Sequence, residues 1–108
     1  MSLTPDSKFI HVTIAGVAMS AVPAGVTRHI TDISAGNRGA SDEVLMVEVD
    51  RGVETYEIVP GLTLKADETR SAQIGAGTLI EGDIARFLSS SDSVIDVWVT
   101  YHDRSIPA

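Results

Sequence analysis

Residues 93–103 read "SVIDVWVTYHD", and this stretch decides the fold class. Ile95, Val97, Val99 and Tyr101 occupy every second position, with Asp96, Trp98, Thr100 and His102 between them. Side chains alternate across a strand with a period of two, so one face of the segment is apolar and the other largely polar. A surface helix would instead place its apolar residues three and four apart. The segment is expected to be a strand with Ile95, Val97, Val99 and Tyr101 turned to the core.

The rest of the chain carries the same signal. Of 108 residues, Val and Ile supply 22 and Thr nine, against six Leu. Branching at Cβ restricts χ1 and suits a pleated sheet better than a helix. Gly and Pro punctuate the sequence at strand-sized intervals, as at Pro23-Ala24-Gly25, Gly52, Pro60-Gly61 and Gly82. Strands are expected over 8–14, with Phe9 in one register and Ile10, Val12 and Ile14 in the other, and over 26–34, with Val26, Arg28, Ile30 and Asp32 on one face. The segment 34–42, "SAGNRGASD", reads as a turn. A further strand over 43–50 turns Leu45, Val47 and Val49 one way, and Arg51-Gly52 closes a hairpin onto 53–59, where Tyr56 and Ile58 share a face. Pro60-Gly61 reads as a turn, followed by "LTL", the turn "KADET", the strand "RSAQI", "TLI" and "DIARFLSS". About seven to eight strands at this spacing predict an all-β, single-domain antiparallel β-sandwich spanning 1–108, Ig-like or jelly-roll-like. Residues 1–7 read as a flexible or expression-derived lead-in.

Composition narrows function by exclusion. The chain has no cysteine, which removes disulfides, thiolate nucleophiles and cysteine metal sites. Its net charge is −7 and its eight basic residues are scattered, so no basic stripe exists to neutralise phosphates. Nucleic acid is not expected as a partner, nor is membrane insertion, since no apolar run approaches the roughly 18–20 residues of a span.

Candidate chemistry is sparse. In "GTLIEGDIARFLSS" (77–90), Glu81 and Asp83 flank Gly82. Catalytic carboxylate pairs face each other across a cleft from separate chain positions. Two acids in one turn lack that geometry, so Gly82 is expected to supply a positive φ and Asp83 to bond the turn backbone. The acids at 41–43 and 66–68 do not match a calcium loop. His11, His29 and His102 lie on three expected strands and are weak metal candidates, their spacing matching no metal motif. There is no Gly-x-Ser-x-Gly elbow and no phosphate-binding glycine loop. No catalytic residue and no cofactor is expected, and the chain reads as a non-enzyme. Trp98 stands opposite the core register of its strand with Val94 on the same face, which reads either as a second layer of the core or, the reading preferred, as an anchor for a subunit contact. Most of the other aromatics are expected to face inward.

Residues 61–103 resemble small β-sandwich structural proteins, head-, neck- or tail-associated, of tailed bacteriophages and prophages. Ala66, Glu68 and Thr69 match the first turn of that pattern. Leu79, Gly82, Asp83 and Ile84 match its corner, and Ile95, Asp96, Val97, Val99 and Tyr101 its closing strand. The resemblance implies a virion component made in the bacterial cytoplasm, without an active site, whose partners are other copies of itself and other virion proteins. The alternative is a sandwich module that binds carbohydrate or a cell-surface ligand.

Overall fold

The computed structural model describes residues 6–72, 78–92 and 94–106. Within them the chain forms nine strands: β1 (Asp6–His11), β2 (Val17–Ala18), β3 (Val26–Asn37), β4 (Glu43–Arg51), β5 (Glu54–Leu64), β6 (Thr69–Ala72), β7 (Thr78–Leu79), β8 (Ile84–Ser89) and β9 (Ile95–Ser105). Sheet A has the order β1-β9-β3-β6, with β7 also on β3, and sheet B the order β2-β8-β4-β5. All pairings between these strands are antiparallel. Counting β6 and β7 as one interrupted strand leaves eight in two four-stranded sheets, with the first strand beside the last. That is jelly-roll connectivity. It resolves the choice between Ig-like and jelly-roll sandwiches.

The core lies between the sheets. Ile95, Val97 and Val99 of β9 are fully buried, as the alternation requires, and Trp98 between them is 52% exposed. Sheet B contributes Leu45, Val47 and Val49 from β4 and Ala85 and Phe87 from β8. β1 starts at Asp6, inside the stretch read as a lead-in, and ends at His11. Residues 1–5, Gln73, Ile74 and Ser93 from the expected segments lie outside the described residues. The first strand is shorter than its pattern implied: Ile14 lies beyond it and is exposed.

β3 departs most from expectation. It runs through Gly36 to Asn37, where a turn was expected. Its register against β9 shifts between Ile30 and Asp32, so Thr31 is an extra, bulged residue. The Thr31 hydroxyl donates to the Thr100 carbonyl at 3.1 Å, holding the bulge against its partner. The shift inverts the alternation. Arg28 and Ile30 point inward before it and Ile33, Ala35 and Asn37 after it, all buried. Asp32, grouped by period with Arg28 and Ile30, is thereby moved to the outer face, and Ile33 is brought into the core.

β5 also absorbs its expected breaker. Leu45 pairs with Leu62 and Val47 with Val59, so Pro60 and Gly61 together oppose Met46 as a bulge. β5 is the edge of sheet B, where proline's missing N–H removes no ladder bond. On the outer face of sheet B, Glu48 stands directly opposite Glu57. Like charges across a ladder repel. Replacing Glu57 by Thr is expected to stabilise the fold by about 0.5 kcal/mol and to raise the melting temperature by a few degrees in a dichroism melt; an unchanged or lower value would sink this reading.

Candidate interaction face

The Glu81-Gly82-Asp83 corner is structural. Gly82 has φ 86°, a left-handed conformation suited to glycine. Asp83 is buried, and its Oδ2 accepts the Ile80 N–H at 2.9 Å. Both of its oxygens also accept from the Arg51 guanidinium, at 3.0 and 2.8 Å. The hydrogen bonds from Arg51 hold the Asp83 carboxyl below its usual range, against the opposing effect of burial. Glu81 is exposed and, among the described residues, accepts only the Gly25 N–H at 3.1 Å. The two acids therefore point to different partners and do not form a pair.

Arg28 is a second buried charge, and periodicity alone did not identify it as one. Its Nε and Nη2 donate to the two oxygens of Asp103 at 2.8 and 2.9 Å, its Nη1 donates to the Ser20 carbonyl, and its guanidinium lies over the Tyr101 ring. Every part of the group is matched, as burial of a charge demands. This cluster closes one end of the core.

The three histidines do not converge. His29 and His102 are direct partners across β3 and β9. His11 lies on β1, where its Nδ1 is 2.5 Å from Asp96 Oδ1. Among the described residues no group of three or more His, Asp or Glu could hold a metal ion.

The feature that stands out is the outer face of sheet A. Ladder pairing aligns its side chains in rows that cross the strands. One row is Phe9, Trp98, Ser34 and Ser71; the next is His11, Asp96, Gly36 and Thr69. Phe9, 56% exposed, meets Trp98 edge to face with ring centroids 5.7 Å apart, and His11 packs similarly on Phe9 at 5.8 Å. Beside the aromatics, Ser34, Ala35, Gly36 and Thr69 floor a concavity of about 230 Å³. Gly36 has no side chain to fill its place in the row, and that vacancy forms the hollow.

A charged cluster borders it. Asp96 accepts from Arg38 as well as from His11. Burial would raise the Asp96 carboxyl, but the Arg38 and His11 bonds outweigh it and hold it below the usual carboxylate range. The same bond to Asp96 raises the Arg38 guanidinium.

Trp98 is thus exposed, and the expectation that most other aromatics face inward is corrected. Phe9 and Tyr56 are exposed, Tyr101 is half-buried and only Phe87 is fully buried. Phe9 was legible: it sits out of phase with Ile10 and Val12, as Trp98 does with Val97 and Val99. Tyr56 lies opposite Val49 in the inward register, but so near the end of the sandwich that its ring packs beside Arg51.

No protein-family model and no curated protein matches the chain. Solved structures do resemble it. The Drosophila NLP-core, described in terms of pentamer formation and histone binding, is 19% identical with a TM-score of 0.57, over 92% of this chain and 98% of that one. A protein of Bacillus endospore appendages, described as disulfide-linked pili, is 11% identical with a TM-score of 0.58, over 98% of this chain and 90% of that one. At these identities the likeness is one of fold, and it extends over nearly the whole of each chain.

Proposed function

We propose that this chain is a non-enzymatic structural protein of a phage or prophage virion, assembling with copies of itself and with other virion proteins through the outer face of sheet A. The observation that carries the reading is the exposed Phe9–Trp98 pair beside a hollow, on a regular sheet face. Aromatic anchors next to a pocket are the usual energetic centre of a protein interface. The two proteins of similar fold are described as a pentamer and as pili, which supports assembly as the use of this sandwich. The phage assignment itself rests on the motifs in residues 61–103.

Light scattering coupled to size exclusion over a concentration series tests the reading. The intact chain is expected to give a discrete oligomer or a mass that grows with concentration. Trp98→Ala is expected to weaken that association roughly thirtyfold, the equivalent of one hot-spot residue of about 2 kcal/mol. Its melting temperature as a dilute monomer should barely move, because the ring is half exposed. A strict monomer at every concentration would overturn self-assembly.

A second reading is favoured by the same aromatics. Trp98 and Phe9 beside Asp96, Ser34 and Thr69 combine an apolar platform with hydrogen-bonding groups, as a carbohydrate site does. Saturable quenching of Trp98 fluorescence by a sugar, from a monomeric protein, would establish that reading over assembly.

A further inference from the structure

Two outward positions along β9 from Trp98, a separate depression of about 270 Å³ opens on the same sheet face. Among the described residues five side chains line it: Thr27 and His29 from β3, Thr78 from β7, and His102 and Arg104 from β9. The ladder sets Thr27 opposite Arg104, and His29 opposite both His102 and Thr78. Each of the five can offer an N–H or O–H donor, and none is a carboxylate. In a chain with 15 acidic and eight basic residues, that lining goes against the overall charge.

Among the described residues, the groups nearby leave this lining without a carboxylate. Asp103, next to Arg104, is committed on the opposite face to Arg28. Asp32, on the adjoining outward row, accepts a hydrogen bond from Ser34 at 3.1 Å. Arg104 makes no ion pair among the described residues. His29 Nδ1 lies 3.2 Å from Thr78 Oγ1, which fixes the ring and leaves Nε2 uncommitted by that contact. His102 Nδ1 is buried without a partner among the described residues, so only its Nε2 can meet a ligand. Between these donors the walls are carbon, from threonine methyls and imidazole rings.

We infer that this depression is a carboxylate subsite, taking the acid group of a short carbon-stemmed molecule with Arg104 as its fixed charge. A carboxylate satisfies the donors, and its stem covers the carbon walls, which an inorganic oxyanion cannot do. The stem belongs either to a free small carboxylic acid or to an acidic side chain of another protein. This inference stands apart from the assembly reading and does not need it.

An NMR titration of the whole chain tests it, with acetate, N-acetylglutamate amide and inorganic phosphate as separate probes. Saturable shifts confined to Thr27, His29, Thr78, His102, Arg104 and their neighbours are expected with the carboxylates, and weaker ones with phosphate. Arg104→Gln is expected to lower the affinity roughly tenfold, the worth of one charge-assisted hydrogen-bond pair. Saturation by acetate alone assigns a free small acid, and saturation by the glutamate probe as well assigns a protein side chain. No saturable shift at these residues, phosphate binding as tightly as acetate, or unchanged affinity in Arg104→Gln would overturn the proposal.

Discussion

Phe87→Ala is expected to cost about 3–5 kcal/mol, a large share of the roughly 5–15 kcal/mol that holds a domain of this size folded. Phe87 is fully buried at the centre of sheet B, opposite Val47 on one neighbouring strand and Val17 on the other. It projects into the space between the sheets, so truncation removes a ring and leaves a hole lined by branched aliphatic residues. Their χ1 angles are restricted and cannot swing in to fill it. A thermal melt should fall by on the order of 15–25 °C, and the urea midpoint should fall with it. Phe9→Ala provides the internal comparison, because it removes the same ring from a position that is 56% exposed. Its cost should stay near 1 kcal/mol or less. Equal costs for the two phenylalanines would refute the burial argument.

Asp83→Ala is expected to cost about 3 kcal/mol. The substitution deprives the Ile80 N–H of its acceptor in the turn and removes a buried carboxylate that receives two bonds from Arg51. Glu81→Ala, two residues away, should change stability by no more than about 0.5–1 kcal/mol, since only an exposed bond to Gly25 is lost. Asp83 also leaves a mark on acid unfolding. Its folded carboxyl is held below its ordinary value, so its contribution is complete above the unfolded pKa and disappears as pH falls through the folded one. Asp96 acts in the same direction. Stability of the intact chain should therefore drop steeply below about pH 4, and the Asp83→Asn protein should show a shallower slope there. A parallel pH profile for the two proteins would show that the corner carboxylate contributes nothing to acid lability.

Much of this was legible in the sequence because strands advertise their exposure by parity. The alternation in residues 93–103 assigned the inward residues Ile95, Val97 and Val99 correctly, and that in 43–50 did the same for Leu45, Val47 and Val49, although β9 runs from Ile95 to Ser105 and β4 to Arg51. Gly82 and Asp83 could be assigned to a corner because a positive φ and an acceptor for turn N–H groups each demand few residue types. What escaped is what parity cannot encode. The extra residue at Thr31 changes phase without any glycine to mark it, so Asp32 and Ile33 were assigned to the wrong faces. Pro60-Gly61 carries the strongest breaker signal in the chain, yet an edge strand tolerates it as a bulge. Sheet order is set by contacts between distant segments, and so the neighbourhood of His29 and His102, and the distance of His11 from both, had no local trace.

The bulge at Thr31 also fixes which length changes this chain can accept. It works as a phase shifter: one strand serves the interior with even-numbered residues before it and odd-numbered ones after it. Deleting Thr31 alone would remove the bulge and keep every face, because Ile30 and Asp32 would then pair as neighbours with Tyr101 and Thr100. Deleting any other single residue from the interior of the strand would turn one half's apolar side to water, whereas removing a pair away from the bulge would preserve the phase on either side. Variation in the length of β3 should therefore be loss of the bulged residue itself or steps of two, while the loops at its ends remain free to gain or lose single residues. Thr27 and His29 then keep facing outward with Ser34 and Gly36, and a single sheet face can carry both the aromatic hollow and the donor-lined pocket.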